Sequence, residues 1–333
     1  MSKFLLTILL ASCMSSQSIK PKLSDHFDGK QFHNRHPGYE DKSLFTVLKW
    51  KLTSASKSWP VWVENEKFPA VPQQVNQGIT ATFVNHASVL LQFDGLNVIT
   101  DPIWSKRASP ISWAGPKRVR EPGIKMESLP KIDIILISHN HYDHLDLPTL
   151  QKLQKKFPDC HILVGLGNAS LLNESGLKNV HELDWGEEYK LGKSRFIFEE
   201  ANHWSARGVF DKRETLWGSF VIESSAGKIF FAGDTGYAPH FNRIGKEYGP
   251  FKLSLLPIGA YEPRWFMKAA HMNPEDAVMA HKDLKSQNSI AIHFGTFALT
   301  DEGIDDPATD LQKARSAQDH FSVLKFGESK SWD

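Results

Sequence analysis

An α/β fold is predicted for this 333-residue chain from three observations. Short apolar runs such as Ile132-Asp133-Ile134-Ile135-Leu136-Ile137-Ser138 have the pattern of strands buried on both faces of a sheet. That run leads through a polar turn into a helix signal, with Asp146 as cap, Pro148 in the first turn, and Leu147, Leu150, Leu153 and Phe157 at helical spacing. Polar residues gather where several runs end, which is the edge at which an open α/β sheet carries its binding groups. With 23% charged and 41% hydrophobic residues, a chain of this length can bury one large core or two smaller ones, and one main domain is the simpler reading.

Met1-Ser2-Lys3 supplies a positive end ahead of an apolar stretch over residues 4–10 that is too short to span a bilayer, so residues 1–12 read as a signal peptide. Leu10-Ala11-Ser12-Cys13 resembles the lipobox of bacterial lipoproteins. That resemblance implies a mature chain beginning at a lipidated Cys13, anchored in a bacterial cell envelope and facing outside the cytoplasm. Residues 13–40, polar at first, read as a tether. Residues 41–78 read as an extension. Within it, residues 42–51 interleave Leu44, Phe45, Val47, Leu48 and Trp50 with lysines, as in a short amphipathic helix that packs on its own domain or faces a membrane. Trp59-Pro60-Val61-Trp62 and Phe68-Pro69-Ala70-Val71-Pro72 form a proline-stiffened strap. Residues 79–333 form the main domain. Its sheet begins with the alternation over 79–84 and 88–93, and Asp94-Gly95 turns the chain into residues 96–99.

Seven residues of metal-ligating type stand at the ends of these runs. His139, His141, Asp143 and His144, in Ser-His-Asn-His-Tyr-Asp-His, put three imidazoles and a carboxylate within six residues, donors that a divalent ion could collect. His203 follows Arg195-Phe196-Ile197-Phe198, Asp234 follows Lys228-Ile229-Phe230-Phe231-Ala232-Gly233, and His293 follows Ser289-Ile290-Ala291-Ile292. Four strand ends are expected to converge on one site that could hold two metal ions, which makes the chain a candidate hydrolase. Two cysteines provide neither a disulfide framework nor a thiolate site, so the ligands must be imidazole and carboxylate. The formal charge of +1 gives no global attraction to polyanions and counts against nucleic acid as a partner.

The signature His139-x-His141-x-Asp143-His144 with the later His203, Asp234 and His293 resembles the metallo-β-lactamase superfamily. It implies an αββα sandwich with a dinuclear metal site at the sheet edge. Longer motifs are similar to the N-acyl-phosphatidylethanolamine-hydrolysing phospholipase D branch. They are Phe230-Phe231-Ala232-Gly233-Asp234-Thr235-Gly236-Tyr237, Pro257-Ile258-Gly259-Ala260-Tyr261-Glu262-Pro263-Arg264-Trp265-Phe266-Met267 and Ile292-His293-Phe294-Gly295-Thr296-Phe297-Ala298-Leu299. Thr100-Asp101-Pro102-Ile103, Arg107-Ala108-Ser109-Pro110 and Gly115-Pro116-Lys117-Arg118 belong to the same resemblance, which covers roughly residues 79–329.

The resemblance implies that His139, His141 and His203 hold one ion and Asp143, His144 and His293 the other, with Asp234 bridging them. Zinc suits the mixed nitrogen and oxygen set, with other divalent metals compatible by ligand type. Tyr142 and His271 are implied substrate contacts, and Asp143, Asp234 and His271 implied catalytic groups. Asn273 can cap a helix beginning at Pro274, which puts His271 beside a helix N-terminus that favours anions. Asp101 reads as the hydrogen-bond partner of a ligand imidazole, and His86, Arg264 and Trp265 as residues lining the cleft. The implied reaction releases N-acylethanolamine and phosphatidic acid, with a hydroxide shared by the metals as nucleophile, because a metal lowers the pKa of bound water to about 7. The implied partners are a phospholipid and, through Cys13, a membrane surface; a homodimer is compatible. The alternatives are hydrolysis of another phosphodiester lipid or a lactone, and a binding protein whose metal only stabilises the fold. Retention of every ligand type together with Tyr142 and His271 disfavours the last.

Overall fold

A computed structural model describes residues 22–36 and 42–333. The expected leader, Cys13, and residues 14–21 and 37–40 of the expected tether lie outside the described residues. Among the described residues no helix is long and apolar enough to cross a membrane.

The chain builds two mixed sheets in succession. The first contains β1 (Ile79–Asn85), β2 (Ser88–Phe93), β3 (Leu96–Thr100), β4 (Ile134–Ile137), β5 (His161–Gly165) and β6 (Val180–Leu183). The second contains β7 (Glu188–Leu191), β8 (Ser194–Glu199), β9 (Ser219–Ser224), β10 (Gly227–Phe231), β11 (Leu253–Pro257), β12 (Ser289–Ile292) and β13 (Phe321–Ser322). The last strand, β14 (Ser329–Trp332), returns to the first sheet and pairs antiparallel with β1. The predicted turn joins β2 to β3, with Asp94 and Gly95 both at positive φ, 51° and 76°, as a two-residue hairpin of matching twist requires.

Strand periodicity sorts the apolar residues into layers. In β4, Ile134 and Leu136 face the second sheet in the central core, whereas Ile135 and Ile137 pack outward against α2 (Leu147–Lys156) and α3 (Ala169–Glu174). In β10, Ile229 and Phe231 face the central core, and Phe230 packs outward on α4 (His240–Glu247), α6 (Pro274–Asp283) and α7 (Asp306–Ala314). The result is the expected four-layered αββα sandwich.

The N-terminal regions depart from the sequence reading. Residues 22–36, expected to be a tether, are packed: Phe27 and Phe32 enter the core between the sheets, and Phe32 donates its amide to the Arg213 carbonyl at 2.7 Å. Two buried rings supply the apolar contact that composition averaged over a polar stretch conceals. The helix expected over 42–51 is α1 (Leu44–Thr53), capped by the Ser43 hydroxyl. Its Trp50 is buried and donates to Asp301 at 3.0 Å, while Phe45, Leu48 and Leu52 point outward. Asp146 stands at the N-cap of α2, but its carboxylate bonds the Ser105 amide and hydroxyl and the Thr149 hydroxyl instead of capping backbone N–H groups.

Candidate metal centre

The site lies on one edge of the sandwich, where the ends of β4, β8, β10 and β12 meet. A close approach of backbone joins the two sheets there. Gly233, at φ +59°, packs on Ser138 so tightly that a Cβ would lie 2.4 Å from the serine Cβ. Gly233→Ala is therefore expected to lower unfolding stability by about 1–3 kcal/mol or more through overpacking, read in urea titrations with an unchanged m-value.

The convergence expected from the four strand ends is observed. His139, His141 and His203 form one group whose ligand atoms all lie within 4.8 Å of one another. Asp143, His144 and His293 form a second group, joined by His86. Asp234 Oδ2 stands between them, 3.1 Å from His293 Nε2, 3.3 Å from His144 Nε2 and 3.9 Å from His203 Nε2. All of these side chains are buried except those of Asp143 and His141, which are partly covered.

Outward partners set the histidine tautomers. Asp101, fully buried, accepts from the Ser138 amide at 2.7 Å, the Ser138 hydroxyl at 2.6 Å and His144 Nδ1 at 2.6 Å. Because the Ser138 hydroxyl donates to Asp101, it accepts from His139 Nδ1 at 2.9 Å. His203 Nδ1 donates to the Ala270 carbonyl at 2.9 Å. In each case the other ring nitrogen turns a lone pair into the cleft, the arrangement in which ligand imidazoles are held. His139 Nε2 and His203 Nε2 lie 2.8 Å and 3.3 Å from His141 Nδ1. His144 Nε2, His293 Nε2, His271 Nδ1 and Asp234 Oδ1 are buried without a hydrogen-bond partner among the described residues. Converging lone pairs and buried polar atoms without a partner fit divalent cations.

The electrostatics have the same source. Burial, reinforced by neighbouring imidazoles, holds His139 and His203 well below the usual histidine range. Burial alone would raise Asp234, but His293 and His144 outweigh it and hold the carboxyl well below the usual range. Burial alone would lower His293, yet Asp234 and Asp143 push it up to about 9. Asp234 and His293 thus favour each other's charged forms.

His86 is the residue the sequence reading underused. At the turn between β1 and β2, with φ +48°, it lies 3.0 Å through Nε2 from Asp143 Oδ2 and accepts the His293 amide on its carbonyl at 2.8 Å. His293 and Asp101 are also at positive φ, 61° and 32°, so three non-glycine residues around the cleft hold a backbone conformation that costs roughly 1–3 kcal/mol each. Positive φ has no signature in a single sequence at a histidine. Asp101 holds the role expected of it, bonded to His144.

The expected substrate contacts fare differently. His271 Nδ1 is 3.7 Å from Asp234 Oδ2, and burial with nearby imidazoles pushes the ring down to about 4. Asn273 caps α6 as expected, but Asp276 reaches back to the cap amide and also pairs with Arg264. Glu275 and Asp276 stand in the first turn of this helix, and the Arg264 guanidinium lies beside the same end through its pair with Asp276. Arg264 also holds the His271 carbonyl at 2.9 Å. Tyr142 donates its hydroxyl to the Arg207 carbonyl at 3.0 Å, with the Arg207 guanidinium 3.9 Å over its ring. Trp265 is half exposed on the short helix α5 (Arg264–Met267).

A β-lactamase superfamily domain model matches residues 96–294, which contain all seven of the ligand-type residues. The chain belongs to the metallo-β-lactamase superfamily. Within it, the chain is of the N-acyl-phosphatidylethanolamine-hydrolysing phospholipase D-like kind. It is 39% identical over 260 residues to N-acyl-phosphatidylethanolamine-hydrolyzing phospholipase D 1 of Caenorhabditis elegans, covering 75% of this chain and 73% of that one. It is 38% identical over 227 residues to the mitochondrial enzyme of that name from Saccharomyces cerevisiae, covering 66% of this chain and 48% of the yeast protein. Igni18, a metallo hydrolase from Ignicoccus hospitalis, shares the fold with a TM-score of 0.58 at 21% identity, covering 77% of this chain and 99% of that one. As a member of the metallo-β-lactamase superfamily with its donor set in place, the protein is a metallo-hydrolase.

Proposed function

We propose that this metallo-hydrolase cleaves the phosphodiester between phosphatidic acid and the ethanolamine oxygen of an N-acyl-phosphatidylethanolamine. The observation that carries the reading is the position of Asp234 Oδ2 between two ligand groups, in a chain 39% identical to a phospholipase D of that specificity. His139, His141 and His203 would hold one divalent ion, Asp143, His144 and His293 a second, and Asp234 both; zinc suits this imidazole-rich set. When bound, such ions supply Lewis acidity at a phosphoryl oxygen and acidify water toward neutral pH.

The chain's own groups do the rest. Asp101 and Ala270 hold the His144 and His203 rings with their lone pairs inward, so the site is assembled before substrate arrives. His271, its pKa depressed to about 4, is neutral at pH 7 and offers a hydrogen bond to a phosphoryl oxygen at the edge of the cleft. In the overall step water adds to phosphorus, the bond from phosphorus to the ethanolamine oxygen breaks, and that oxygen leaves with a proton as N-acylethanolamine. The lipobox-like run Leu10-Ala11-Ser12-Cys13 supports a location at the envelope membrane, where phospholipid is at hand.

The test incubates purified, metal-analysed protein with N-acyl-phosphatidylethanolamine in water enriched in oxygen-18 and resolves the products by mass spectrometry. The expected products are labelled phosphatidic acid and unlabelled N-acylethanolamine. Diacylglycerol would mean that the other ester bond breaks, and the absence of any lipid product would leave the substrate assignment without support.

A further inference from the structure

We infer that the N-terminal segment 22–36 is a working wall of the metal centre, and that Asn34 within it is a positioning residue for His203. The inference rests on the reading of His203 as a metal ligand.

His203 lies between β8 and β9 in irregular chain, so no strand ladder holds its backbone. Asn34 takes over that work from 169 residues away. Its Oδ1 accepts the His203 amide at 3.1 Å and its Nδ2 donates to the His203 carbonyl at 2.8 Å, so one side-chain amide closes both main-chain groups of the residue. The orientation of the amide is determined by a third partner. Trp217 Nε1, which can only donate, lies 3.1 Å from the atom that also receives the His203 amide, so that atom must be the oxygen. The same indole N–H reaches the Ala201 carbonyl at 3.0 Å, tying the clamp to the chain just before His203. With its backbone held by Asn34 and its ring held through Nδ1 by Ala270, His203 is fixed at two points, and its Nε2 faces His141 and Asp234.

The clamp is anchored well enough to do this. His26, 3% exposed, stacks on Trp185 at 4.4 Å and bonds Asp184 and Asp25 through its two ring nitrogens, each at 2.7 Å. Arg35 pairs with the same Asp25 at 2.6 Å, on the far side of Asn34. Phe27 and Phe32 are buried in the central core between these anchors, each contributing roughly 1.5–3 kcal/mol. A tether would have none of these contacts.

The test measures cobalt(II) binding to the full chain by chelator competition, together with the visible spectrum of the cobalt protein and its thermal melt. Asn34→Ala is expected to weaken the tighter or the weaker of the two cobalt sites, but not both, by about 10–100-fold and to alter the corresponding ligand-field bands. Asn34→Asp, which keeps the acceptor for the His203 amide but sets an oxygen against the His203 carbonyl in place of the donor, is expected to weaken the same site and covers the case in which Asn34→Ala does not fold. Gln31→Ala removes the segment's bond to the Lys212 carbonyl without touching His203, and is expected to bind cobalt as wild type does. Wild-type affinity and spectrum in both Asn34 variants would overturn the inference, as would an equal loss at both sites. His203→Ala separates the two levels of the reading. If it loses the ion and the Asn34 variants do not, only the role of Asn34 falls. If it binds cobalt as wild type, the ligand assignment falls and takes the role of Asn34 with it.

Discussion

Asp234→Asn is expected to reduce turnover of the proposed phospholipid substrate to assay background while the chain remains folded. The substitution preserves shape and removes one negative charge from the point where Oδ2 lies 3.1 Å from His293 Nε2 and 3.3 Å from His144 Nε2. A neutral amide is a poor ligand for a divalent ion, and at a shared position its loss affects both groups of imidazoles at once. Far-ultraviolet dichroism should be unchanged, because the central core packs without Asp234. Metal analysis should show loss of at least one ion per chain. Full activity with unchanged metal content in the Asn variant would sink the assignment of Asp234 to the bridging position.

Asp101→Ala is expected to cost about 1–3 kcal/mol of stability, the range for leaving buried hydrogen-bond partners unsatisfied. Its carboxylate is fully buried and accepts three bonds, two from Ser138 and one from His144. Removing it orphans the Ser138 amide at the end of β4 and frees the His144 ring to rotate. It also releases the Ser138 hydroxyl that orients His139. Metal affinity should therefore fall by about 10–100-fold at both groups, since His139 belongs to one and His144 to the other. Asp101→Asn separates the two effects: it retains the volume and one acceptor, so stability should recover more than metal affinity does. Equilibrium urea unfolding and chelator competition on the same samples read the two quantities. An Ala variant with wild-type metal affinity would show that the His144 tautomer is set by another group.

Much of this centre was legible because its parts are local. The His139 to His144 cluster packs four donors into one turn after a doubly buried strand, and the chain has no way to bury that many imidazoles idly. The other ligand types each end an apolar run, and parallel neighbours such as β10, β11 and β12 bring their ends to one edge. The hairpin at Asp94-Gly95 and the cap at Asn273 were legible for the same reason, since turn and cap chemistry reside in two to four consecutive residues.

Less was legible wherever a residue acts through a distant partner. Asn273 caps its helix, yet the pair that Arg264 makes with Asp276 across 12 residues sets the charge at that helix end. Tyr142 stands in the ligand motif, but its hydroxyl and ring are both engaged by Arg207, 65 residues away. Asn34, an asparagine in a polar stretch, carries no local signal, and His86, expected only to line the cleft, gives no hint of its positive φ or of its bond to Asp143.

The sequence by itself therefore determined the layered α/β architecture, the family and the seven donors, because strand period, turn residues and ligand clustering are properties of neighbouring residues. Only the tertiary structure decided which imidazole nitrogens face inward and what holds them there. Asp101 reaches His144 and Ala270 reaches His203 across sequence separations of 43 and 67 residues, and Asn34 clasps His203 across 169. A hydrogen bond depends on distance in space, and until the sheets pack, nothing in the chain relates those positions.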